Sequence, residues 1–137
     1  VYGMLDDDVL RWTSAGHCMP MLQNLETGEI VEVGDATRDG GLPLGIYEEA
    51  EYETVRTEIP PGHRLVIYTD GIIEAMADGD EHHQFGIAGV QRVLNECRRE
   101  PLQGTLDALF RESLAFTAGH GRHDDTSVLI LERRQGE

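Results

Sequence analysis

Two apolar runs, each with carboxylates at one end, constrain this chain most. The first is Leu65-Val66-Ile67, which leads into Tyr68-Thr69-Asp70-Gly71. The second is Val128-Leu129-Ile130-Leu131, preceded by His123-Asp124-Asp125-Thr126-Ser127. Short apolar runs bounded by turn residues read as buried strands. Each acidic motif therefore stands at the edge of a strand, held by rigid backbone. Carboxylates held in this way can converge on a hard cation such as Mg²⁺ or Mn²⁺. Taken singly, each motif also fits a plain turn, because Asp-Gly is a common turn pair and acids favour solvated loops. It is the pair, in its wider context, that favours a site.

The rest of the pattern places these motifs in a fold class. Leu10 and Trp12 share one face of a strand over Val9 to Ser14. The runs at Met21 to Leu25 and Glu29 to Val33 flank Glu26-Thr27-Gly28, a hairpin turn. Gly34 to Gly45 is glycine-rich and reads as a loop. Tyr52 to Ile59 reads as a charged edge strand, and Arg64 to Tyr68 as a central one. The second half turns helical. A short helix is expected over Ile72 to Met76, ended by Asp78-Gly79-Asp80. Val90, Val93, Leu94 and Cys97 fall on one helical face, with Pro101 closing that helix. Leu106, Leu109, Phe110 and Leu114 repeat the spacing on another. A final strand covers Ser127 to Leu131, and the tail from Glu132 is polar. Strands, then two helices, then one strand imply an α+β domain with a mostly antiparallel sheet. The return strand must insert beside an earlier one, which lets the two acidic motifs become neighbours.

Length and charge narrow the partners. With 137 residues, the chain is expected to be a single domain over 1–137. A formal charge of −15 repels phosphate backbones and anionic membranes, so nucleic acid is not an expected partner. No apolar run reaches membrane-spanning length and no signal pattern opens the chain, so a cytoplasmic location is the default. All 11 basic side chains are arginines, from which no function follows. Cys18 and Cys97 lie far apart and form no Cys-x-x-Cys motif.

Several segments, in order, resemble the metal-dependent Ser/Thr phosphatases of the stage II sporulation protein E type, within the PPM (protein phosphatase 2C-like) superfamily. Ser14-Ala15-Gly16-His17 with Pro20 is similar to that family's Asn-Ala-Gly-His-x-x-Pro. Gly41-Leu42-Pro43-Leu44-Gly45 resembles its Gly-x-Pro-Leu-Gly loop. Pro61 to Gly71 is close to Pro-Gly-Asp-x-Leu-x-x-Tyr-Thr-Asp-Gly, with His63 where Asp is common. Glu74-Ala75, Phe85-Gly86 and Asp124-Asp125-Thr126 continue the series. The resemblance implies an α-β-β-α sandwich. It also implies an upstream Gly-Asp segment, whose Asp bridges two metals and which this sequence does not contain. The expectation is thus the C-terminal two-thirds of such a domain, with open sheet edges that could drive self-association.

By that resemblance, two Mn²⁺ or Mg²⁺ ions activate water against a phosphoserine or phosphothreonine ester. Asp70 and Asp124 are the implied metal ligands and catalytic residues. Asp125 is a weaker metal candidate, orienting water or Asp124. Thr69 and Thr126 are expected to serve strand ends. The implied substrate is a phosphorylated anti-sigma-factor antagonist in a partner-switching circuit. A pseudophosphatase that binds such a regulator without hydrolysis is the rival reading, and an inactive fragment is a third. Other chemistries fit less well. His120, His123, His82 and His83 could hold Zn²⁺ only if their loops met. His17 is either a catalytic base or a ring hydrogen-bonded at a strand end. No Gly-x-Ser-x-Gly elbow or phosphate-binding loop is present, and Asp78-Gly79-Asp80 lacks the later spacing of an EF-hand.

Overall fold

Six strands of the first half and one near the C-terminus form two antiparallel sheets. The computed structural model describes residues 1–77, 80–122 and 124–136. Strands β1 (Tyr2–Asp6), β2 (Val9–Thr13) and β5 (Val55–Glu58) form one sheet in the order β1-β2-β5. Strands β3 (Met21–Asn24), β4 (Ile30–Glu32), β6 (His63–Tyr68) and β7 (Val128–Arg133) form the other, in the order β4-β3-β6-β7. The charged strand read from sequence is indeed an edge, β5. The most apolar one, β6, lies between β3 and β7. The mixed α/β class with antiparallel sheets is as expected.

The chain divides into two compact units, Val1–Ile67 with Leu131–Glu137, and Tyr68–Ile130. In the first, Leu10, Trp12, Met19, Ile59 and Leu65 form the buried core, with Leu22, Ile67 and Leu131 packed against them. The register pairs Leu22 with Leu65, which puts both on the core side. Burying one such leucine contributes roughly 1.5–3 kcal/mol. The Trp12 indole N–H donates to Thr57 Oγ1 at 2.9 Å, so the largest side chain of this core leaves no polar atom unsatisfied.

The second unit carries the helices α1 (Asp70–Ile73), α2 (Gly86–Glu96) and α3 (Leu102–Phe116). Helix α2 buries Val90, Val93 and Leu94, the face its spacing predicts. No helix among the described residues is long and apolar enough to cross a membrane.

Five details differ from the sequence reading. Strand β1 was not expected, because all five of its residues are exposed and give no burial pattern. The short helix starts earlier, at Asp70, and ends at Ile73. Asp78 and Gly79, the predicted stop, lie outside the described residues. Pro101 does not close α2, which ends at Glu96; it caps the start of α3, where its missing N–H costs nothing. Helix α3 buries Thr105, Ala108, Leu109 and Ser113, while Leu114 is 48% exposed. The hydroxyls of Thr105 and Ser113 bond to main-chain carbonyls, which lets polar residues occupy the buried face. The polar tail also begins later. Glu132 and Arg133 belong to β7 and form ion pairs with Arg64 and Asp8.

Candidate metal centre

The end of β6 and the approach to β7 supply the acidic site, and one threonine joins them. Thr69 precedes α1 in an extended conformation. Its hydroxyl donates to the Asp125 carbonyl at 3.2 Å and accepts the Ser127 N–H at 2.9 Å. Its own N–H donates to the Ser127 carbonyl at 3.0 Å. The two motifs are therefore stitched together by main-chain and hydroxyl bonds. Gly71 allows the approach to be this close, because any Cβ there would overlap the Asp125 carbonyl oxygen.

Three carboxylates converge at this junction. Oxygens of Asp70, Glu74 and Asp124 lie within 4.8 Å of one another, and all three residues are exposed. Asp70 and Glu74 stand four residues apart across the single turn of α1, which puts both on one face. Asp124 Oδ1 accepts the Asp125 N–H at 2.7 Å, which orients its carboxylate. Asp125 contributes main-chain atoms to the junction and does not join the cluster. The cluster brings together Asp70 and Asp124, both candidates from sequence, and adds Glu74, which is not among those candidates. The i, i+4 spacing from Asp70 was the available signal.

This donor set fits a hard divalent cation. Oxygen ligands sit about 2.0–2.6 Å from Mg²⁺ or Ca²⁺, so two ligands across one ion are up to about 5 Å apart. Bare, the three carboxylates repel one another; a cation would reverse that sign. A cavity of about 350 Å³ opens here, lined by Gly71, Glu74, Asp124, Glu81, His82 and Gln84 among others. It is not the largest concavity. One of about 580 Å³ is lined by Asp8, Ile59 and Arg133 among others, and holds none of the expected site residues.

The histidines do not form a site among the described residues. The one group of three ligating side chains found there is the carboxylate cluster. His83 instead packs edge-on against Phe116, at 5.2 Å between ring centroids. His123 lies outside the described residues. The His17 ring nitrogen Nδ1 is 2.9 Å from the Cys18 carbonyl, and the residue lies in the loop between β2 and β3, not at a strand end.

The family model for stage II sporulation protein E (SpoIIE) matches residues 1–134. The chain belongs to the SpoIIE family. No curated protein sequence matches it. Among solved structures, the PP2C domain of SiaA from Pseudomonas aeruginosa aligns with a TM-score of 0.70 at 21% identity, over 91% of this chain and 46% of that one. The manganese-soaked phosphatase domain of SpoIIE from Bacillus subtilis gives 0.69 at 16% identity, over 99% and 56%. The serine/threonine phosphatase PstP of Mycobacterium tuberculosis gives 0.62 at 12%, over 97% and 58%. At these identities the likeness establishes the fold, which is that of the PPM phosphatases. This SpoIIE-family chain spans about half the length of the structures it matches.

Proposed function

We propose that this chain is the metal-binding part of one phosphoprotein phosphatase domain, acting on phosphoserine or phosphothreonine. The observation that carries the proposal is the meeting of Asp70, Glu74 and Asp124 at the joined ends of two strands. Family membership supports the reaction class. The substrate we propose is a phosphorylated anti-sigma-factor antagonist, within a partner-switching pathway.

Each residue has a defined part. Asp70, Glu74 and Asp124 would hold Mn²⁺ or Mg²⁺ through their carboxylate oxygens. When bound, such a cation neutralises phosphoryl charge and makes water a better nucleophile at neutral pH. Thr69 keeps the two acidic segments in register, and Gly71 leaves room for them to touch. The Asp125 N–H fixes the Asp124 carboxylate, so less ordering remains to be done when a cation or substrate arrives. Asp125 acts in this scheme through its backbone, with its side chain free to orient water.

The test is Mn²⁺-dependent hydrolysis of an aryl phosphate and of a phosphoserine peptide. It is run on this 137-residue chain and on a version extended at its N-terminus. Activity in either that is lost in Asp70→Asn supports the phosphatase reading. Two folded, inactive proteins that still bind a phosphorylated regulator would replace it with the pseudophosphatase.

A further inference from the structure

We propose that Arg122 is a positioning residue for Asp124. Clamped onto α3, it fixes the chain two residues before that carboxylate enters the cluster. The inference rests on reading Asp70, Glu74 and Asp124 as a cation site.

The segment after α3 has little stiffness of its own. Ala118, Gly119 and Gly121 all have positive φ, at 49°, 91° and 76°. Glycine-rich chain is costly to order, so Asp124 would wander if nothing held its approach. Two side chains hold it. The buried Thr117 hydroxyl donates to the Leu114 carbonyl at 2.7 Å and accepts the Gly121 N–H at 3.0 Å. Arg122 Nη1 then donates to the Phe110 carbonyl and to Ser113 Oγ, both at 3.0 Å. The guanidinium also lies over the Phe110 ring, 5.2 Å from its centroid. Ser113 is fully buried, so this grip is on a rigid part of the helix.

The consequence for Asp124 is geometric. Two residues reach at most about 7 Å, so a fixed Arg122 confines Asp124 to a small volume. On its other side, Asp125 and Ser127 are tied to Thr69. Asp124 is thus pinned between α3 and the end of β6. Carboxylates that repel one another need such pinning if they are to stay gathered without a cation. A planar, forked guanidinium supplies two bonds and a stacked face at once, which an ammonium cannot do.

The test uses the whole 137-residue chain. Mn²⁺ binding is measured by calorimetry for wild type, Arg122→Gln, Arg122→Lys and Asp124→Asn, below the melting temperature of each. Hydrogen exchange at residues 124–127 is measured without metal. Asp124→Asn should lose most binding. Arg122→Gln should weaken Mn²⁺ binding about tenfold, as loss of a supporting partner typically does, and exchange at 124–127 should quicken. Arg122→Lys should recover only part of the affinity. A purely structural role would lower Tm yet leave the affinity of the folded protein unchanged. Wild-type affinity in Arg122→Gln, with Asp124→Asn impaired, overturns the proposal whatever the exchange rates. If wild type binds no Mn²⁺, the cation reading fails by itself. The anchor then stands or falls on whether exchange quickens in Arg122→Gln. If that variant does not fold, Ser113→Ala, which removes one of the two acceptors, takes its place.

Discussion

A side-chain carbon on Gly71 would overlap the main-chain oxygen of Asp125 and sit 3.0 Å from that of Asp124. The Asp-Gly pair is therefore more than a turn here: its second residue is the surface on which the other acidic motif rests. Gly71→Ala must push the two segments apart. Overpacking of this kind costs about 1–3 kcal/mol. Urea unfolding should show that loss, and Mn²⁺ should no longer stabilise the variant. Full Mn²⁺ stabilisation in a folded Gly71→Ala protein would contradict the contact.

The carboxylate cluster predicts a linkage between metal and stability. A cation that binds only the folded chain adds about 2.7 kcal/mol when its free concentration is about 100 times its dissociation constant. Mn²⁺ should raise Tm in the wild type. The rise should vanish in Asp70→Asn and Asp124→Asn, and shrink in Glu74→Gln. Asp125→Asn should keep most of it, because that carboxylate lies outside the cluster. Thermal scans with and without Mn²⁺ separate these cases; an equal rise in all five proteins would remove the ligand assignment.

The buried bond from Trp12 to Thr57 makes a stability prediction unrelated to metal. Thr57→Val keeps the shape of the side chain and leaves the indole N–H without its acceptor. An unsatisfied buried donor costs about 1–3 kcal/mol. Denaturant titration should find that loss, with the metal response intact.

Acid should loosen the loop after β4. The hydrogen bond from the Arg38 side chain, with the Asp35 N–H, holds the Asp39 carboxyl below its usual range. Asp35 is lowered as well, chiefly by the Thr37 hydroxyl. A lowered folded pKa means that the folded state binds the proton less readily than the unfolded one. The stabilisation is therefore present above the unfolded value of about 3.9 and lost as pH falls through the folded values. Gly34 lies between Asp39 and Trp12, and Trp12 is the one tryptophan. Its fluorescence should hold steady from neutral pH down to about 4 and change below that. Asp39→Asn should flatten the acid change; an identical acid transition in that variant would refute the assignment.

Much of this was legible from local pattern. Period-two alternation locates β2, the hairpin turn at Glu26-Thr27-Gly28 locates β3, the apolar run locates β6, and helical spacing locates α2. Strand β2 buries Leu10 and Trp12, β6 buries Leu65 and Val66, and α2 buries Val90, Val93 and Leu94. The pairing of Asp70 with Asp124 could be inferred because a single closing strand had to return beside an earlier one. Strand β1, exposed along its length, gives no burial contrast and is not legible. Helix α3 is legible from its apolar spacing, but not the face it buries, which includes Thr105 and Ser113. Glu74 is not among the ligands expected from sequence because the short helix is expected to start at Ile72, which leaves Asp70 outside the turn; the helix in fact starts at Asp70, and this sets Glu74 four residues on.

By itself, then, the sequence determined the class of fold, the central strand and the two acidic motifs, since these follow from residue type and spacing over a few positions. Tertiary structure decided which other groups join Asp70 and Asp124. It brought Glu74 into the cluster and left the Asp125 side chain out. It also gave Thr69 and Arg122 their holding roles. Glu74's place beside Asp70 follows from i, i+4 spacing, but its meeting with Asp124 and the roles of Thr69 and Arg122 depend on contacts between separate segments, which residue spacing within one element does not encode.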